Sequence, residues 1–91
     1  MNAKQKKIVA DVMEKIESAL ALAQEALELL EPVRDDLAEK VDSMSDKARE
    51  SERGQEREAE NESVGGAFDE IVAAVSSLTS VAESLDAVGG E

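Results

Sequence analysis

Two apolar stripes, each spaced like one face of a helix and separated by a polar stretch at Asp42–Gly54, constrain this chain more than any other feature. On the N-terminal side the stripe runs Ile8, Val12, Ile16, Leu20, Ala23, Leu27 and Leu30. Steps of four and three residues place these side chains on one face. Ala19, Leu22 and Ala26 widen that face until it is broad enough for more than one neighbour. The small residues Ala19, Ala23 and Ala26 would also let a second helix approach closely. Beyond Pro32 the stripe continues in phase through Val33, Leu37, Val41 and Met44. Proline inside a helix costs about 3 kcal/mol. Two readings fit: a kinked continuous helix, or a new helix with Pro32 in its first turn. Glu31 is a poor N-cap and the phase is kept, so the kink is favoured, with one helix over about residues 2–43.

Ser43 and Ser45 end that pattern, and a turn is expected over about 44–51. Ser51 followed by Glu52 resembles a helix start, since a serine oxygen can accept from free N–H groups and an early acid complements the positive end. A strict capping box would place Glu or Gln where Gly54 stands. The second helix is expected over about 52–88, with Val64-Gly65-Gly66 either a break or a place where another backbone passes closely. Its apolar residues are Phe68, Ile71, Val75, Leu78, Val81, Leu85 and Val88, and Gly89-Gly90 is read as its end. Two such helices joined by a polar turn make an all-α antiparallel hairpin. A single hairpin cannot bury both stripes fully, so a homo-oligomeric bundle, dimer or higher, is expected. Its core is assigned to Ile16, Leu20, Leu27, Leu30, Leu37, Phe68, Ile71, Val75 and Leu78.

Composition narrows the function. The 91 residues form one domain at most, with no Cys, no His and a single aromatic residue, Phe68. Disulfides are absent, the usual zinc ligands are missing, and Cys–His or Ser–His nucleophilic catalysis has no residues to use. No phosphate-cradling glycine loop occurs. Carboxylate pairs are plentiful enough to arise by chance on solvated faces. The chain is therefore read as non-enzymatic, with no cofactor and no metal. A net charge of −12 disfavours direct contact with nucleic acid or an anionic membrane surface. No continuous apolar run approaches 18 residues, so no membrane span is expected. Asp11 interrupts the apolar run after Lys4, Lys6 and Lys7 too early for a signal peptide, which leaves a cytoplasmic home as the expectation.

Arg49, Arg53 and Arg57 share a face at four-residue spacing, each with a Glu three residues later. The plain reading is a solvated helix laced with ion pairs worth about 0.2–0.5 kcal/mol each. The sharper one is that these arginines, with Lys47 and Ser51, line an oligomer groove and hold an anion, which a guanidinium can grip with two bonds.

The same region carries a family resemblance. Arg34-Asp35-Asp36, Asp42, Met44 and Ser51-Glu52-Arg53-Gly54 resemble a motif of small acidic helical proteins of bacteriophages, prophages and mobile elements. Those proteins carry an Arg-Asp helix, Asp-Asn-Met-Pro, a five-residue spacer and Ser-Glu-(Arg or Lys)-Gly. Ser43 and Ser45 depart from the Asn and Pro, and the likeness covers roughly residues 34–54. That family has no assigned function, so the resemblance implies a phage-type origin, a host-cell cytoplasmic location and a hairpin, but no reaction. Three functions are then expected in order. The first is an anti-defence sponge that sequesters a nucleotide-like anionic host signal. The second is an acidic inhibitor that mimics nucleic acid and blocks a host defence protein. The third is a purely structural bundle.

Overall fold

The computed structural model describes residues 1–89, and these form three helices with no strand among them. Helix α1 spans Ala3–Asp42, α2 spans Asp46–Glu50 and α3 spans Glu52–Gly89. The assignment of Gly90 as a helix terminator lies outside the described residues.

Helix α1 begins at a capping box that the sequence reading passed over. The Asn2 side chain accepts from the Gln5 backbone N–H at 2.8 Å, and the Gln5 side chain accepts from the Asn2 backbone N–H at 3.1 Å. Two of the four free donors of the first turn are satisfied in this way. The helix runs on without interruption through Pro32. Pro32 is exposed, so the carbonyl that loses its partner faces water. Helix α3 is likewise continuous through Gly65-Gly66. A Cβ at either glycine would meet nothing within 4 Å, so no neighbouring part of the chain calls for glycine there. Gly65→Ala and Gly66→Ala are accordingly expected to stabilise the fold by up to about 1 kcal/mol each. A urea titration checks this, and a loss of stability would mean that another backbone does pass close to this site.

A single helix of this many residues would extend about 135 Å at 1.5 Å per residue. The molecule measures 67 × 16 × 15 Å, so the chain doubles back and α3 lies along α1. Met44 and Gly54 line a cleft at the turn end, and Met13 and Leu85 line another at the far end. The two helices therefore keep one antiparallel register over their whole length.

The half-buried residues give the seam. In α1 they include Val9, Met13, Ile16, Leu20, Ala23, Leu27, Leu30, Arg34, Leu37 and Val41. In α3 they include Arg57, Asn61, Val64, Phe68, Ile71, Val75, Leu78, Ala82 and Leu85. Both rows alternate steps of three and four without a slip, the seven-residue repeat of a coiled coil. This corrects both ends of the expected stripes. Ile8 and Val12 are 55% and 38% exposed, and Val9 and Met13 take the seam positions. Each four-residue step overshoots a full turn by about 40°, so the steps Ile8–Val12–Ile16–Leu20 drift off the seam. In α3, Ala82 faces α1 where Val81 was expected, and Val81 and Val88 are exposed.

No hydrophobic side chain among the described residues is fully buried. Among the described residues one is buried, Gly54.

Candidate functional site

The stretch expected to be a plain turn contains α2, and its side chains tie three helix ends together. The Ser45 hydroxyl oxygen accepts from the Ala48 N–H at 3.1 Å and so caps α2. The Ser51 hydroxyl donates to the Ala48 carbonyl, and its oxygen accepts from the Gly54 N–H at 3.1 Å. One hydroxyl thus joins the end of α2 to the start of α3. The Arg49 guanidinium donates to the Val41 carbonyl at 3.2 Å, a carbonyl at the end of α1 that also accepts from the Met44 N–H. Gly54 lies against the last turn of α2. A Cβ there would fall 2.8 Å from the Ala48 carbonyl carbon and 3.0 Å from the Arg49 Cα, and closer still to the Ala48 oxygen. The Ser-x-x-Gly spacing of Ser51 and Gly54 therefore has a packing reason.

The five residues singled out as anion ligands divide into groups. Arg49 and Ser51 are engaged with backbone at the helix ends, and Lys47 is exposed on α2. Arg53 and Arg57 line an open cleft of about 370 Å³ together with Lys40, Glu56 and Glu60. Lys40 comes from the last turns of α1 and was missed in sequence, because only the antiparallel register brings it level with Glu60. A second cleft of about 230 Å³, lined by Met44, Ala48, Ser51, Arg53, Gly54 and Arg57, adjoins the first through the two arginines.

The expected ion-pair lacing is not what the structure has. Among the described residues the ion pairs are Lys15–Asp11 at 2.9 Å, Arg34–Asp35 at 3.1 Å and Lys40–Asp36 at 3.1 Å. Arg53 and Arg57 pair with no carboxylate in that set. Residues 40–57 carry five Lys/Arg and five Asp/Glu, so this segment is neutral while the net −12 resides elsewhere. Beyond Arg57 the chain has acids and no base at all. The cleft thus sits in a neutral segment where an anion meets less repulsion than along the acidic faces, and residues 1–10, with Lys4, Lys6 and Lys7 and no acid, are the other such stretch. Among the described residues no group of three carboxylates converges as metal ligands would.

The residues assigned to an oligomer core, Ile16, Leu20, Leu27, Leu30, Leu37, Phe68, Ile71, Val75 and Leu78, are half-buried along the seam between α1 and α3 of one chain. Within that seam the Arg34 guanidinium stacks 4.0 Å from the Phe68 ring centroid and is held from the other side by Asp35. Arg34 was read only as part of a motif. Its phase with Leu30 and Leu37 is the signal that places it in the seam.

Within Glu52–Val88 an 18-residue window is apolar enough, by length and composition, to cross a bilayer. No apolar run is continuous there, but the interspersed serines and threonine lower the average only slightly. The same helix supplies Ile71, Val75, Leu78 and Leu85 to the seam.

No family model, curated protein or solved structure matches the chain.

Proposed function

We propose that the chain is a non-enzymatic binding protein, an antiparallel helical hairpin that self-associates and holds a nucleotide-like anion beside its turn. The observation that carries this reading is the convergence of Lys40, Arg53 and Arg57 on one open cleft of a molecule whose net charge is −12. Two guanidinium groups can grip phosphate oxygens with paired hydrogen bonds, and Lys40 adds a point charge. Glu56 and Glu60 on the same cleft supply acceptors for ribose or base donors, and they select against a bare polyanion. The phage-type likeness of residues 34–54 makes a host defence signal the first ligand class to test, with the host cytoplasm as the proposed setting.

The chain has no Trp and no Tyr, so the purified protein absorbs almost nothing in the near ultraviolet and a bound nucleotide stands out. Protein isolated from infected bacteria is expected to carry a nucleotide band that passes a filter after denaturation. Arg53→Ala and Arg57→Ala are each expected to weaken binding of the released compound about tenfold to a hundredfold, while leaving the helical signal intact. Unchanged binding in both variants would sink the reading. The acidic run beyond Arg57 favours a second reading, a mimic that occupies the nucleic-acid groove of a host protein. A dark spectrum together with a host protein captured in a strongly salt-dependent complex would support it.

A further inference from the structure

The seven-residue repeat gives the hairpin two different sides. On one side α1 presents Val12, Ala19, Ala26 and Val33, each one residue before a seam position. In the antiparallel register these stand beside Val88, Val81, Ala74 and Ala67 of α3, which hold the equivalent places in their repeat. The cleft containing Lys40, Arg53 and Glu60 continues the same two rows toward the turn, which confirms that they share a side. For about 30 Å along the helices these rows contain no polar side chain. The exposed Leu22 and Leu29, 66% and 73% accessible, flank them on α1. The equivalent rows on the other side include Glu17, Gln24, Glu31, Glu58, Thr79 and Asp86.

We propose that this uncharged side is where a second copy of the chain docks, closing a four-helix bundle. The proposal specifies the face for the self-association in the reading above and is tested apart from anion binding. Three observations favour a second copy as the occupant. The accessible surface is 6667 Å², whereas a compact monomer of this mass exposes about 5,100 Å². The excess, about 1,500 Å² spread over the whole elongated molecule, leaves room for the roughly 800 Å² per partner that a stable interface buries. Of the acids along this stretch only Glu70 flanks the rows, at the α3 place equivalent to Leu22 and Leu29, and the others stand on the other faces. The rows are also made of Ala and Val, which let helices approach closely in self-complementary, two-fold packing.

The test is the mass in solution of the full chain and of Ala26→Glu/Ala74→Glu, by light scattering at micromolar concentration. Both positions lie about 20 Å along the helices from the level of Lys40 and Glu60, so the anion cleft is left intact. The wild type and the Gln24→Glu control are expected to be oligomeric, and the double variant monomeric with anion binding at the cleft unchanged. Because the double variant could also fail to fold, Ala26→Cys and Gln24→Cys are compared in a chain with no other thiol. The Ala26→Cys thiol is expected to react about tenfold more slowly with an aromatic disulfide reagent. Equal thiol rates, a monomeric wild type or an oligomeric double variant would each overturn the proposal. A monomeric wild type that floats with neutral phosphatidylcholine vesicles would assign the face to lipid instead.

Discussion

Gly54→Ala is expected to cost about 3 kcal/mol and to lower the melting temperature by roughly 15 °C, measured at fixed protein concentration by circular dichroism. Alanine is ordinarily the better helix former by about 1 kcal/mol, so propensity alone predicts the opposite sign. The added methyl would overlap the Ala48 carbonyl and crowd the Arg49 Cα, all of them backbone, so no side chain can swing aside. Either α2 moves off α3, breaking the Ser51 hydroxyl's hold on Ala48 and Gly54, or α3 starts later. The contrast with Gly66→Ala sharpens the test, because the same substitution in the same helix has opposite expected signs. A neutral Gly54→Ala would show that α2 does not pack on α3 in solution.

Phe68→Ala is expected to cost about 2 kcal/mol, less than a fully buried Phe would because this ring is only half-buried. Part of the loss comes from the cation–π contact with Arg34, worth about 0.5–1 kcal/mol at a partly exposed site. A double-mutant cycle with Arg34→Ala isolates that part as a coupling energy. Zero coupling would mean that the stacked geometry is not populated. Arg34 and Phe68 together set the register in the part of the seam nearer the turn, where the neighbouring layers are otherwise aliphatic. The pair is thus a device for specifying alignment as well as for stability.

Much of the helical character was legible without coordinates. The 3–4 alternation of apolar residues defines amphipathic helices whatever they pack on, and Ser51-Glu52 marks the start of α3 because capping is local chemistry. The Asn2–Gln5 capping box is equally local chemistry. Whether Pro32 or Gly65-Gly66 interrupts a helix could not be decided locally, because each costs a few kcal/mol at most. Packing along a seam of some thirty residues outweighs that, and both helices run through.

The candidate site divides in the same way. Arg53 and Arg57 were visible as a four-residue row, but Lys40 belongs with them only because the chain folds back on itself. Arg49 and Ser51 looked identical in kind to Arg53, and only tertiary structure shows them engaged with Val41 and Ala48. The sequence by itself determined that the chain is helical, acidic and without the side chains of Cys or His chemistry, since propensity and charge are properties of local residues. Tertiary structure alone decided which apolar row closes the seam, which is left to water, and why residue 54 must be glycine. Those outcomes depend on the register between segments up to eighty residues apart, and periodicity within one helix carries no information about that register.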